Sequence, residues 1–175
     1  MGQANRYHAH RKPFSLIGLH FSGHLLPIKR LLTAGRVAVP SRSRTKDEVL
    51  EELVRLAAPD SPVHDQLLDA VRAREVAFPT ALGDGVALPH VRTALVKTLT
   101  MSACVLNDPI AFGASDGNVV DVLFLLLSPA ESPSEHLSAL RSLSKLIANA
   151  DVLFALRHAT SEEQFVAVVN AAVIK

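Results

Sequence analysis

The residue of this sequence best placed for covalent chemistry is His90, which follows a stretch of constrained backbone. A Gly-Asp-Gly turn at residues 83–85 leads into a short apolar strand expected at residues 86–88, and Pro89 ends that strand. Because proline fixes its own φ and biases Leu88 towards extended geometry, the backbone determines where the imidazole stands. The pattern predicts a reactive histidine at the exit of a strand; a surface or core-edge histidine is the alternative.

Two further residues would suit the transfer of a phosphoryl group through this histidine. Arg74 lies where a predicted helix meets the loop, and its planar guanidinium matches a pair of phosphoryl oxygens. His136 falls in the first turn of a helix that Ser134 is expected to cap, where the helix dipole favours a neutral ring. On position alone, a surface arginine paired within its helix and a solvent-facing histidine are the alternatives.

Metal and nucleotide chemistry have weaker support. His90 and His136 could form a metal pair, but no third ligand is evident in the sequence. The histidines at positions 8, 10, 20 and 24 match no tetrahedral pattern well, and no Walker-type glycine-rich loop occurs. We therefore expect neither a cofactor nor a metal, and no direct use of ATP.

Helix signals occur on both sides of the His90 loop. Thr45 and Glu48 form a capping box, in which each side chain is expected to serve the other residue's backbone N–H. Ser61 and Pro62 predict the start of a second helix, which should end near Arg74. Three more helices are expected: from Ser134 to about Ala148, a short one from Asp151, and one from a capping box at Thr160–Glu163 to about Val173.

Two long β-rich segments lie between these helices. Residues 98–106 alternate weakly, and residues 119–127 are apolar enough to form a strand covered on both faces. Residues 107–109 and 116–117 are turn signals between them. Strands interleaved with helices predict a single α/β domain, with a central mixed sheet flanked by helices.

The composition suits one domain with an aliphatic core. Apolar residues make up 49% of the 175 residues, aromatic residues only 5%, and there is no Trp. The one cysteine, Cys104, excludes an intrachain disulfide, fits a reducing compartment and is expected in the core. No apolar run reaches the roughly 18 residues of a membrane span, and the N-terminus lacks a cleavable signal pattern. A cytoplasmic protein is expected.

Charge divides the chain into two unequal parts. Up to Lys46 there are nine basic residues and no acidic one, whereas from Asp47 onward nine basic residues face 17 acidic ones. Residues 1–30 are predicted to be a basic, flexible extension, and residues 31–175 the folded domain. A basic arm can bind nucleic acid or a membrane surface. A solvated extension is the commoner explanation, and no nucleic-acid partner is expected.

A series of motifs in a fixed order resembles a known family. The motifs are Arg74-Glu75, Thr80, Gly83-x-Gly85-x-Ala87-x-Pro89-His90, Asp108-Pro-Ile-x-Phe112, Asp116-Gly, Val120-Asp-x-Leu-Phe124, Pro129 and His136-Leu-x-x-Leu140. From about residue 31 to the end, the chain resembles the fructose/mannitol-type (type 2) enzyme IIA domain of the bacterial phosphotransferase system. It is most similar to the nitrogen-regulatory branch of that family.

The resemblance implies a phosphohistidine carrier. In that family the histidine of the Pro-His motif, here His90, accepts a phosphoryl group from the histidine phosphocarrier protein. The second histidine, here His136, lies beside it, and the arginine that matches Arg74 helps hold the phosphate. Thr80 is expected to bind phosphate with them. The phosphoryl group would then pass to a IIB domain, or the phosphorylation state would serve as a signal.

A regulatory binding module is the rival interpretation. Nitrogen-type relatives dock onto potassium-transport and sensor proteins according to their phosphorylation state, without passing the phosphate on. The chain shows no fused transporter or Cys-based IIB domain, which favours regulation. Phe78-Pro79 before Thr80 and Val91 after His90 depart from the small residues usual in the family. Both departures flank the site, so they could alter partner choice or transfer rate.

Overall fold

The computed structural model of the chain describes residues 26–114 and 117–173. Its helices are α1 (Leu26–Leu31), α2 (Lys46–Ala57), α3 (His64–Ala77), α4 (Pro133–Ile147), α5 (Ala150–Arg157) and α6 (Glu162–Val173). Its strands are β1 (Val37–Ser41), β2 (Ala81–Gly83), β3 (Val86–Ala87), β4 (His90–Thr93), β5 (Thr100–Ile110) and β6 (Val120–Pro129). Within the described ranges, no helix has the length and apolar character needed to cross a membrane.

One mixed six-stranded sheet runs between the helices. Its strand order is β1-β5-β6-β3-β2, and β4 also pairs with β6. Strands β5 and β6 are antiparallel, whereas β1 runs parallel to β5, and both β3 and β4 run parallel to β6. The predicted α/β fold with a central mixed sheet flanked by helices is confirmed.

Alternate residues of the central strands build two cores, one on each face of the sheet. Val122, Phe124 and Leu126 of β6 pack with α1, α4, α5 and α6 on one face. Leu123 and Leu125 pack with α2 and α3 on the other. The nearly continuous apolar sequence of β6 thus reflects a strand covered on both faces, as predicted.

Two capping predictions near the start of the domain are only partly right. The Thr45 hydroxyl accepts from the Glu48 N–H at 3.2 Å, as expected. The Glu48 carboxylate, however, accepts from the Arg44 N–H at 2.7 Å, one residue before the predicted partner. Helix α3 begins at His64 rather than near Ser61, because the Ser61 hydroxyl closes a short turn that precedes the helix.

The starts of α4 and α5 also differ from the prediction. Helix α4 begins at Pro133, with Ser132 before it, so Ser134 lies inside the first turn instead of capping it. Helix α5 is capped by Asn149, whose side-chain oxygen accepts from the N–H of Asp151 at 3.0 Å. Asparagine caps as well as aspartate, and it stands at the position where the N–H groups are unpaired.

The capping box of α6 is shifted by one residue. The Ser161 hydroxyl accepts from the Gln164 N–H at 3.2 Å, and the Gln164 side chain accepts from the Thr160 N–H at 2.6 Å. A Ser-x-x-Gln pair therefore replaces the predicted pair of Thr160 and Glu163. The predicted end of this helix at Val173 agrees with the structure.

Short strands and one turn were mispredicted. Strands β1, β2 and β4 were not foreseen, because each has five residues or fewer and two of them contain Pro or Gly. Residues 107–109, expected as a turn, lie within β5, where the register against β6 is interrupted between Val105 and Ile110. The turn expected at 116–117 falls partly outside the described residues.

The start of the folded part lies earlier than residue 31. Ile28 of α1 is fully buried and packs in the core beneath α4 and α6. The boundary expected between residues 30 and 31 therefore falls inside a helix, and residues 26–30 belong to the folded part. The rest of the expected extension, residues 1–25, lies outside the described residues.

Candidate functional site

The backbone that positions His90 is held by β6 on both sides of a proline. Ala87 of β3 pairs with Leu123, and His90 of β4 pairs with Leu126. Between them the Pro89 carbonyl accepts from the Leu126 N–H at 3.0 Å. Proline has no N–H to donate, so it separates two short strands that would otherwise be one. His90 is thus the first residue of β4, a correction to its predicted place at the exit of a strand.

The turn before β3 is fixed by its glycines and by α5. Asp84 and Gly85 both have positive φ, of 51° and 75°, as a two-residue Asp-Gly hairpin turn requires. Arg157 pairs with Asp121 at 2.8 Å and donates to the Asp84 carbonyl. A Cβ on Gly85 would stand 2.5 Å from the Arg157 guanidinium and 2.8 Å from the Asp121 carboxylate. The predicted Gly-Asp-Gly turn is confirmed, and only glycine fits its last position.

Hydrogen bonds define the tautomer of His90. Its Nε2 lies 2.8 Å from Nη2 of Arg74, and its Nδ1 lies 2.8 Å from the Leu88 carbonyl oxygen. A guanidinium can only donate and a carbonyl can only accept, so Nδ1 carries the proton and Nε2 carries the lone pair. The nucleophilic atom of the neutral ring is therefore Nε2.

Arg74 is held at the C-terminal end of α3, pointing towards this atom. Its Nη1 donates to the Phe78 carbonyl at 2.6 Å, and its guanidinium lies 5.4 Å from the centre of the Phe78 ring. The helix extends to Ala77, past its predicted end, so Arg74 occupies the last turn. Its contacts are with His90 and Phe78 and not with an acid of its own helix, which was the alternative from sequence.

His136 lies directly beside His90. The two ring centres are 5.5 Å apart, and Nδ1 of His136 is 2.7 Å from the Ser128 hydroxyl. The prediction that His136 occupies the first turn of a helix is confirmed. The alternative of a solvent-facing side chain is wrong, because only 7% of the residue is exposed.

Both histidines are shifted towards the neutral form. Burial is the main cause of a lowered pKa at His90, and the charge of Arg74 adds to it, whereas the Leu88 carbonyl and Glu75 oppose it. Burial also lowers the pKa of His136 to about 4, helped by the positive charges of His90, Arg92 and Arg74. Neutrality of His136 was expected from the helix dipole, but desolvation is its first cause.

Glu75, the residue after Arg74, is a buried carboxylate that binds Lys46 and Thr80. Glu75 is 1% exposed, and Lys46 approaches it to 3.0 Å while also donating to the Phe112 carbonyl at 2.8 Å. Glu75 accepts from the Thr80 N–H at 3.0 Å and from its hydroxyl at 2.5 Å. The Thr80 hydroxyl, predicted to bind phosphate, is thus engaged by Glu75.

Sequence reasoning missed Lys46, Arg92 and Ser128 as neighbours of the site. In the sequence, Lys46 marks only the end of the basic part of the chain, and it lies far from His90 and Arg74. No local pattern links Ser128 to His136, since the bond depends on the register of β6 and the start of α4. Within residues 26–114 and 117–173, no three His, Cys, Asp or Glu side chains are grouped to hold a metal.

Cys104 lies away from this chemistry. It is fully buried in β5, as predicted, and burial raises the pKa of its thiol well above the usual range. The thiol is a core side chain in a protonated state and does not contribute a nucleophile.

Comparisons with known proteins agree with the fold. The chain belongs to the family described as "Phosphoenolpyruvate-dependent sugar phosphotransferase system, EIIA 2", which it matches over residues 30–172. It is 34% identical to a nitrogen regulatory protein of Pseudomonas aeruginosa over 141 residues, covering 79% of this chain and 92% of the relative.

Solved structures give the same result. The nitrogen regulatory protein IIA-Ntr of Neisseria meningitidis matches with a TM-score of 0.76 and 30% identity, over 81% of this chain and 98% of that one. The mannitol enzyme IIA of Escherichia coli, solved in complex with phosphorylated enzyme IIB, matches with a TM-score of 0.68 and 20% identity. That match covers 79% of this chain and 96% of the solved one, and it concerns the fold alone.

Proposed function

We propose that this protein is a phosphohistidine carrier that accepts a phosphoryl group on Nε2 of His90. The observation that carries the proposal is the lone pair of Nε2, which hydrogen bonds fix in place 2.8 Å from a guanidinium. The proposed donor is the histidine phosphocarrier protein of the phosphotransferase system. Family membership and the similarity to nitrogen regulatory proteins support this assignment.

The transfer is a displacement at phosphorus. The Nε2 lone pair forms the new N–P bond while the N–P bond of the donor phosphohistidine breaks, and that electron pair returns to the donor's ring nitrogen. No proton needs to move, because Nδ1 of His90 keeps its proton and its bond to the Leu88 carbonyl. Positioning and charge stabilisation can therefore supply most of the catalysis.

Arg74 and His136 are proposed to hold the phosphoryl oxygens. Once phosphorus occupies Nε2 of His90, the Arg74 donor that now faces this nitrogen must turn to the oxygens, which match its planar fork. His136 is neutral and close enough to donate one N–H. Thr80 is proposed to bind the phosphoryl group with them. Its hydrogen bond to Glu75 would also hold the end of α3 that carries Arg74.

A regulatory role for the same phosphorylation is the second candidate. Nitrogen regulatory proteins of similar length support it, since this chain covers 92% of one of them. Phe78 and Leu137, adjacent in sequence to the site and 68% and 52% exposed, offer apolar surface where a partner could sense the phosphoryl group. This protein would act in the cytoplasm, its targets would be potassium-transport or sensor proteins, and a IIB domain would be the acceptor if the phosphate is passed on.

The proposal is tested by phosphorylation with purified components. The protein is incubated with phosphoenolpyruvate, enzyme I and the phosphocarrier protein, and its intact mass is measured. We expect one acid-labile phosphoryl group on the wild type and on His158→Ala, whose ring stacks on Phe154 in α5. His90→Ala should fold and accept none. Wild-type phosphorylation of His90→Ala would refute the site, and an unmodified wild type would refute the function.

A further inference from the structure

We infer that Ser128 is a positioning residue, which donates its hydroxyl proton to Nδ1 of His136 and so leaves the ring proton on Nε2. The inference rests on the proposed function only for its kinetic consequence. The tautomer itself is a property of the resting protein. Ser128 ends the apolar run of β6 and had no role in the interpretation of the sequence.

The strand register places this serine on the histidine side of the sheet. His90 pairs with Leu126, and Arg92 pairs with Ser128, in the parallel arrangement of β4 and β6. Residues two apart on a strand share a face, so Ser128 lies on the same face as Leu126, which packs in the core beneath α4. Helix α4 begins four residues beyond the end of β6, and its first turn brings His136 over this face.

The bond between them is buried and short. Ser128 is fully buried, His136 is 7% exposed, and Oγ lies 2.7 Å from Nδ1. A neutral histidine has one protonated and one unprotonated ring nitrogen, so this contact has two possible directions. In one the serine donates to Nδ1; in the other Nδ1 donates to the serine.

Counting donors and acceptors selects the first direction. Among the described residues, the hydrogen-bond partner of the Ser128 hydroxyl is His136. If Nδ1 donated, the hydroxyl proton of a fully buried serine would be left without an acceptor, which is the costly arrangement in a core. If the serine donates, its proton is satisfied and Nδ1 is satisfied. The His136 proton is then on Nε2, the nitrogen that the serine does not occupy.

This tautomer is the one that the proposed transfer needs. A phosphoryl group on His90 is anionic and can only accept, so a useful neighbour must offer an N–H and not a lone pair. With the proton on Nδ1, His136 would present a lone pair to the phosphoryl oxygens and repel them. Ser128 thus acts through His136, without contact to the phosphoryl group.

The first test is the tautomer of His136 in the intact wild-type chain. Two-bond ¹⁵N–¹H correlation spectra of the histidine rings at pH 7 distinguish a protonated Nε2 from a protonated Nδ1. We expect the Nε2–H form for His136 and the Nδ1–H form for His90, whose hydrogen bonds are the reverse. An Nδ1–H tautomer at His136 would overturn the inference, whatever the protein does with phosphate.

The second test uses an isosteric pair of variants. Ser128→Thr and Ser128→Val add the same volume to the buried site and differ in the hydroxyl. We expect Thr to keep the wild-type tautomer and a transfer rate close to wild type, and Val to lose the tautomer preference and to slow single-turnover transfer about tenfold. Because Ser128 acts through His136, the effect of its loss should not exceed that of His136→Ala, which should slow transfer roughly 10- to 150-fold.

Ser102→Ala controls for the loss of a buried strand hydroxyl. The Ser102 hydroxyl is fully buried in β5 and donates to the Leu53 carbonyl at 2.7 Å. Its removal should lower stability without changing the His136 tautomer or the transfer rate. Equal rates and equal tautomers in the Thr and Val variants would overturn the role of Ser128. If the wild type takes no phosphate, the proposed function fails, and the spectra still decide whether Ser128 sets the tautomer.

Discussion

Nη2 of Arg74 lies 2.8 Å from Nε2 of His90, so the guanidinium covers the nitrogen that we propose as the nucleophile. This contact has two effects. It engages the Nε2 lone pair in a hydrogen bond, and the positive charge adds to burial in lowering the pKa of His90, which favours the neutral ring. In the proposed transfer, an incoming phosphoryl group would take the place of the guanidinium at Nε2, and the guanidinium would move to the phosphoryl oxygens.

Arg74→Lys should slow transfer even though it keeps the charge. A lysine provides a point charge and cannot bind two oxygens with a planar fork. The loss of one hydrogen bond to a charged group, about 1.5–3 kcal/mol, corresponds to a slowing of roughly 10- to 150-fold. Single-turnover phosphorylation of the variant measures it.

Arg72→Lys is the matched control for that variant. Arg72 lies two residues earlier on α3 and pairs with Asp47 at 2.5 Å, with 36% of its side chain exposed. Its replacement should leave the rate within about twofold, since an exposed ion pair contributes little to stability and this one does not contact His90. If the Arg74 variant transferred as fast as this control, the guanidinium would have no special role.

The part of the fold that sequence could predict is the part with a strong local pattern. The apolar run of β6 and the helical periodicity of α2 need only near neighbours to be recognised, and both are confirmed. Helix starts were less predictable, because Asn149 and Ser161 compete with equally good capping residues a position or two away. The short strand β4 exists because β6 offers a partner, which no local signal reveals.

The residues of the candidate site also fall into two groups: those that the sequence could indicate and those that only tertiary packing brings to the site. His90, Arg74 and His136 were singled out from their residue types and from a family resemblance, and the structure brings the three side chains together. Whether they handle phosphate stays a prediction. Ser128 and Lys46 could not be found from sequence, because each reaches its partner through tertiary packing.

The lowered pKa of His136 predicts how stability depends on pH. An unfolded chain binds a proton at this residue as the pH falls through about 6.5, whereas the folded chain does so only near 4. Folding stability should therefore fall as the pH drops from about 6.5 towards 4, with a slope from this residue of up to about 1.4 kcal/mol per pH unit. His90 should add to the effect, since its pKa is also lowered.

Urea unfolding of wild type and His136→Ala between pH 7.5 and 5 measures this contribution. The comparison concerns the slopes, because the alanine also removes packing and shifts the whole curve. We expect parallel curves above pH 7 and a shallower fall for the variant below pH 6.5. Curves that stay parallel throughout would mean that His136 takes up its proton equally in both states.

Glu75→Gln should destabilise the fold. The carboxylate is buried and receives Lys46 and both donors of Thr80, so its neutral replacement leaves Lys46 without its opposite charge. Breaking a buried pair costs about 3–5 kcal/mol, and the 34% exposure of the Lys46 side chain places the expected loss near 3 kcal/mol. Urea denaturation measures the free energy of unfolding.

Glu51→Gln serves as the control for that substitution. Glu51 pairs with Arg55 on the exposed side of α2, with side chains 43% and 61% exposed, so its loss should cost no more than about 0.5 kcal/mol. A stability loss at Glu75 as small as the loss at Glu51 would show that the buried network does not hold α3 in place.

Truncation at two points tests where the folded domain begins. Removing residues 1–25 should leave the free energy of unfolding and the phosphorylation rate close to those of the full chain, if this basic segment is an extension. Removing residues 1–30 also takes away Ile28, which is fully buried against the helices of one face. Losing such a side chain costs about 2–5 kcal/mol, so only the longer deletion should lower the urea midpoint strongly.

Ile28→Ala in the full-length chain separates the side chain from the rest of the deleted segment. It should reproduce much of the loss seen on deleting residues 1–30, because Ile28 is fully buried in the core and the shorter deletion retains it. Equal stability of the two truncated chains would return the boundary to residue 31. A large loss on removing residues 1–25 alone would show that the basic segment packs on the domain. Salt-sensitive binding of nucleic acid by the full-length chain, and not by the shorter ones, would give that segment a separate role.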